Sequence, residues 1–224
     1  MKTHCDVRIQ AGKILLRGEM YLPQAPAGMI VFAHGSGVTR RDPLNRFVAR
    51  RLERAAYATL LMDLLEDYET RDRHNVFDVG MQAERLIEVK AWLGMQPRTR
   101  SLRLGYFGTG VGTGIVLVAA AKAPARVCAI VSRGGRPDTA LHWVPQVKAP
   151  TLFIDDGAVP DFIEATYRAA TAEKELVYVP TAGRLFKEPD AIKAVAQHAC
   201  RWFSRHMLPV RAARPVAELE GSPA

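Results

Sequence analysis

The 224-residue chain carries 31 Lys and Arg against 23 Asp and Glu, a formal net charge of +8, with 48% hydrophobic and 24% charged residues. This is the balance of a globular protein that buries a full core, at a length suited to one large α/β domain or two small ones. No apolar run approaches the roughly 20 residues needed to cross a bilayer, so a membrane-spanning reading is excluded. The positive charge is dispersed. In its densest stretch, Arg40 to Arg54, the apolar Phe47, Val48 and Leu52 recur at helical spacing, the pattern of a solvated helix face and not of a nucleic-acid site. Cys5, Cys128 and Cys200 form neither a metal-ligand spacing nor a disulfide framework. No apolar stretch follows Lys2, so a secretory leader is not expected, and a cytoplasmic location is.

In chain order, the first two strands are predicted at Cys5–Ile9 and Ile14–Leu22, with Ala11-Gly12-Lys13 as the hairpin turn. The continuous apolar run from Gly28 to Ala33 predicts a strand buried on both faces, ending in the loop His34-Gly35-Ser36-Gly37. A helix is expected from about Pro43 to Ala55, then a strand at Ala58–Met62, an acidic loop, and a long helix from about Asn75 to Gly94 with Asn75 as its cap. Strand Leu102–Phe107 leads through Gly108-Thr109-Gly110-Val111-Gly112 into the apolar helix Ile115–Lys122. Further strands at Val127–Val131, Thr151–Ile154 and Leu176–Val179 alternate with helices at about Asp161–Ala172 and Pro189–His206. Residues 1–208 are expected to form one α/β domain and 209–224 a disordered tail. Strands alternating with helices imply a mostly parallel sheet covered on both sides, with the ligand site beyond the carboxyl ends of the strands.

Specific words in this pattern resemble the α/β-hydrolase superfamily, dienelactone-hydrolase type, in the right order from about residue 6 to 206. Val31-Phe32-Ala33-His34-Gly35-Ser36-Gly37 is similar to the loop that supplies part of an oxyanion hole. Gly105-Tyr106-Phe107-Gly108-Thr109-Gly110-Val111-Gly112 resembles a nucleophile elbow, and Ser132-Arg133-Gly134-Gly135-Arg136-Pro137-Asp138 resembles a further stretch of that family. The resemblance implies the α/β-hydrolase fold, with about eight strands, helices on both faces and no large cap domain. It also implies a Ser-His-Asp triad at three loops, and this chain departs from it at each. Gly110 stands at the elbow tip, where G-x-S-x-G places the serine. Val159 aligns with the acid, with Asp155 and Asp156 as possible stand-ins at the strand end. Arg184 aligns with the histidine and cannot accept a proton near neutral pH. The triad works as a unit, so the usual serine-hydrolase mechanism is expected to be absent. Thr109 and Thr113 are the nearest hydroxyls, and neither occupies the tip.

Backbone N–H groups remain where the helix begins after Gly110, at Val111, and in the His34-Gly35-Ser36 loop. With Arg184, and Arg133 as a further contributor, they would suit a carboxylate or phosphate. The competing reading has Arg184 filling vacated space or pairing with Asp155, Asp156 or Asp161, and His34 and Ser36 holding the loop through hydrogen bonds. The glycine run gives no G-x-G-x-x-G frame and no P-loop, so no dinucleotide cofactor is expected, and no metal. Two functions stay open. One is a non-catalytic binder of a small, possibly anionic, ligand or of a protein partner. The other is a hydrolase of esters or lactones working without the triad on an intact oxyanion hole.

Overall fold

The computed structural model describes residues 3–35, 38–158, 160–179, 186 and 188–207. Eight strands form one sheet in the order β1-β2-β4-β3-β5-β6-β7-β8: β1 Thr3–Ala11, β2 Ile14–Leu22, β3 Met29–Ala33, β4 Ala58–Asp63, β5 Leu104–Thr109, β6 Val127–Arg133, β7 Thr151–Asp155 and β8 Lys174–Tyr178. The hairpin β1–β2 and the β2–β4 pair are antiparallel, and all other neighbours are parallel. The helices are α1 Pro43–Arg54, α2 Arg73–Phe77, α3 Val79–Met95, α4 Gly112–Lys122, α5 Pro160–Ala169 and α6 Pro189–Met207.

Every residue of β3 is buried, because alternate side chains enter two separate cores. Met29, Val31 and Ala33 join Leu86, Val89 and Leu93 of α3 and Ile115 to Ala120 of α4 on one face. Ile30 and Phe32 join Val48 and Leu52 of α1 and Val195, Ala199 and Phe203 of α6 on the other. Each Val, Leu, Ile, Met or Phe side chain among these contributes about 1.5–3 kcal/mol by leaving water, and two-sided coverage is what a parallel sheet requires. No described helix is long and apolar enough to cross a membrane.

The long helix expected from Asn75 is two helices. Asp72 caps α2 by accepting the His74 N–H, and Asp78 caps α3 by accepting the Met81 N–H at 2.8 Å. Asp78 has a non-helical ψ of 85°, since a carboxylate at an N-cap satisfies an otherwise orphaned donor and favours the positive helix end. Asn75 lies inside α2, its carbonyl accepting from Asp78 N and the Gln82 side chain. The strand after Pro124 also runs two residues further than the apolar pattern suggests, to Arg133. That extension carries Arg133 into the sheet, in register with Thr109 on one side and Ile154 on the other.

Candidate ligand site over the β5–α4 turn

The parallel strands all end at one edge of the sheet, where the turn from β5 into α4 is the tightest connection. Gly110 adopts φ +61°, the left-handed conformation that glycine takes without penalty. Its carbonyl accepts the Thr113 hydroxyl at 2.8 Å and the Thr113 and Arg136 N–H groups at 3.3 and 3.4 Å. Thr113 is thus committed to holding the turn, while Thr109 lines the space above it. Gly35, from the loop after β3, lies directly against the turn; a Cβ on it would sit 2.7 Å from the Val111 nitrogen. The N–H groups of Val111 and Gly112 have no hydrogen-bond acceptor among the described residues. At the start of α4 they form an anion-receptive end.

A cavity of about 480 Å³ opens here. Its floor is Gly35, Gly110 and Val111; its walls are Val38, Phe162 and Phe186; Arg133, Arg136, Asp155 and Asp156 supply the charges. Arg133 is 8% exposed, and its Nη1 is buried with no hydrogen-bond partner. It has no ion-pair partner among the described residues, and its guanidinium lies 5.7 Å from the centre of the Phe186 ring. Burial pushes its pKa down to about 10 against the opposing field of Asp42, so the group stays cationic at neutral pH. Arg136 is instead neutralised by a two-pronged bond to Asp138, at 2.8 and 2.7 Å, and stacks 4.1 Å over Phe162.

The acids sit at the end of the next strand. Asp155 accepts the Gly157 N–H at 2.8 Å and Asp156 the Ala158 N–H at 3.0 Å, and neither pairs with a cation among the described residues. Burial raises the Asp155 pKa, the Gly157 hydrogen bond opposes this, and the charge of Asp156 adds to it.

The oxyanion-side residues divide. Gly35 and Val111 face the cavity over Gly110, but His34 does not. Its Nε2 lies 3.1 Å from Asp63 Oδ1 and its Nδ1 3.3 Å from the Gly35 carbonyl. Asp63 is also held by the Arg40 backbone N–H at 2.7 Å and by the Arg40 guanidinium. His34 thus lines a neighbouring cavity of about 740 Å³, which shares only Gly35 and Val38 with the first. All six histidines fall within the described residues, and none lines the cavity over Gly110. Ser36, Val159 and Arg184 lie outside the described residues. No three His, Cys, Asp or Glu side chains converge as metal ligands among the described residues.

The structure brings together Gly35, Thr109, Gly110, Val111, Arg133, Asp155 and Asp156 as the sequence suggests, and adds Val38, Gly134, Gly135, Arg136, Phe162 and Phe186. Gly134 to Arg136 belong to the stretch that carried the resemblance. Phe162 and Phe186 are ordinary apolar residues in sequence, and no local signal distinguishes them from core positions.

No family model matches the chain. The crystal structure of dienelactone hydrolase from Anabaena variabilis is 44% identical, covering 92% of this chain and 99% of that one, with a TM-score of 0.87. A dienelactone-hydrolase-like promiscuous phosphotriesterase from metagenomic libraries matches at 18% identity and TM-score 0.76, over 93% of this chain and 99% of its own, a likeness of fold alone. A protein of Mycobacterium tuberculosis, provisionally named as a phosphoribosyl transferase, is 46% identical over 205 residues, 90% of this chain. The chain spans about half the length of that relative, 46%. By the identity and full-length coverage of the Anabaena structure, and by the sheet and turn described above, the chain belongs to the dienelactone-hydrolase-like group of α/β-hydrolases.

Proposed function

We propose that this protein binds a small anionic ligand in the cavity over Gly110 and does not run serine-hydrolase chemistry. The observation that carries the reading is Arg133: a desolvated cation without an ion-pair partner among the described residues, lining the cavity beside Val111, whose N–H has no acceptor among those residues. Leaving a buried charge unpaired costs several kcal/mol, and an anion from solution would recover it through charge-assisted hydrogen bonds. Gly110 has no side chain to attack a carbonyl, and no imidazole lines the cavity to take a proton, which supports the loss of triad catalysis. The provisional name of the mycobacterial relative supports a phosphorylated ligand, although it belongs to a protein about twice as long. Cys5, Cys128 and Cys200 are all free, in keeping with a reducing, cytoplasmic setting.

The test is calorimetric titration with inorganic phosphate and acetate, alongside turnover of p-nitrophenyl acetate. Anion binding that disappears in Arg133→Met, with ester turnover no faster than buffer, supports the reading. Sustained turnover that survives serine-directed phosphonates would replace it with the second reading, hydrolysis by a water held at Asp155. That alternative rests on the raised pKa of Asp155 beside the N–H donors.

A further inference from the structure

We infer that the anion is the phosphate of a phosphorylated sugar, held phosphate-inward with its hydroxyls on Asp155 and Asp156. The inference rests on the anion-site reading above and deepens it.

Three neighbouring strand ends present three different chemistries in sequence. After β5 comes the N–H of Val111, at the end of β6 Arg133, which has no ion-pair partner among the described residues, and at the end of β7 Asp155 followed by Asp156. Adjacent strands lie about 4.8 Å apart. An anion between the α4 terminus and Arg133 therefore leaves the rest of its molecule about one strand spacing away, against the two carboxylates. A simple carboxylate or an apolar acid would place nothing there that those oxygens accept.

The acids demand hydrogen-bond donors. Each has one oxygen taken by a backbone N–H, Asp155 by Gly157 and Asp156 by Ala158. The two carboxylates stand on consecutive residues and both line the cavity, which suits a ligand that carries several hydroxyls. At the anion end, a tetrahedral phosphate has enough oxygens to meet the Val111 N–H and a guanidinium at once. The Phe162 and Phe186 rings that also line the cavity suit the C–H face of a sugar ring. The volume of about 480 Å³ exceeds what phosphate alone fills and lies within the usual range for a small-molecule site.

The experiment is titration calorimetry of the full chain with ribose 5-phosphate, inorganic phosphate and ribose. The expected result is ribose 5-phosphate at least tenfold tighter than phosphate, with no measurable binding of ribose. Asp156→Ala, and separately Asp155→Asn, should reduce that preference severalfold, with inorganic phosphate bound as tightly as before or tighter because a like charge has gone; Arg133→Met should abolish binding of both anions. Phosphate binding that depends on Arg133, with ribose 5-phosphate no tighter, overturns the sugar inference and leaves the anion site standing. Binding of neither anion to the wild-type chain overturns both. A preference that survives both aspartate variants overturns the placement of the hydroxyls.

Discussion

The guanidinium of Arg133 lies 5.7 Å from the centre of the Phe186 ring, and both partners are held at a cost. Arg133 is a cation without a carboxylate partner among the described residues, and Phe186 is a non-glycine residue at φ +52°, in a region that costs an ordinary residue about 1–2 kcal/mol. Costs of this kind concentrate where a ligand is bound.

Replacing Arg133 should separate stability from binding. Arg133→Met removes a desolvated charge and keeps an unbranched apolar stem, so the variant is expected to unfold at an equal or higher temperature, by an amount on the order of 1–3 kcal/mol. The depressed pKa, about 10 and so below the ordinary guanidinium value, sets the pH dependence. The unfolded chain binds more protons between those values, so wild-type stability rises with pH there. The advantage of the variant should therefore be full at neutral pH and shrink above about pH 10, as read by melts across that range.

Gly110 and Gly35 should respond differently to a methyl group or more. A Cβ on Gly110 would meet the Gly35 Cα at 3.2 Å, a contact that a small shift relieves, and the positive φ adds about 1–2 kcal/mol. Gly110→Ser is expected to fold with a loss of that size and to gain no more than trace esterase activity, because no histidine lines the cavity. Gly35→Ala would press on the Val111 nitrogen itself. It should weaken phosphate binding at least tenfold in a titration and also lower the melting temperature, since main chain has to move.

Asp63 ties His34 and Arg40 together. Burial pushes its carboxyl up, but the hydrogen bonds from His34 and Arg40 outweigh that and hold its pKa below the usual value. A depressed acid contributes stability that is present above the unfolded pKa, near 4, and lost as pH falls through the folded one. Asp63→Asn should cost about 1–3 kcal/mol at neutral pH, with its acid unfolding limb shallower than that of the wild type.

Asp155 should show the opposite sign. Its carboxyl is held above the ordinary range by burial and by Asp156, despite the Gly157 hydrogen bond, so the folded state binds the proton more readily. Wild-type stability then falls as pH rises from the ordinary carboxylate value through the raised one. Asp155→Asn can still accept the Gly157 N–H through its amide oxygen. It should be slightly more stable at neutral pH, by less than about 1 kcal/mol, with the difference vanishing near pH 3.

The sheet was legible because its strands are short apolar runs cut by turns, and β2 and β3 fall almost where the pattern places them. The split at Asp78 was hidden because the apolar spacing continues across it; the break is made by one side chain accepting one N–H. At the site, Gly110 was readable from the glycine frame around it. The isolation of Arg133 among the described residues is not legible in the sequence, since it depends on β6 continuing past Val131. His34 stands in the loop after β3, but the direction of its ring is set by Asp63, 29 residues away, and local sequence carries no such information.

The contact between Gly35 and the Gly110–Val111 turn is made by main chain on both sides. Groups that recognise a ligand through N–H bonds on such a surface do not depend on which side chains surround them. Substitutions around the rim can exchange one chemistry for another while the spacing of those donors persists. A receptor for one anion, or an enzyme that passes through one, can therefore be built on the same unaltered floor.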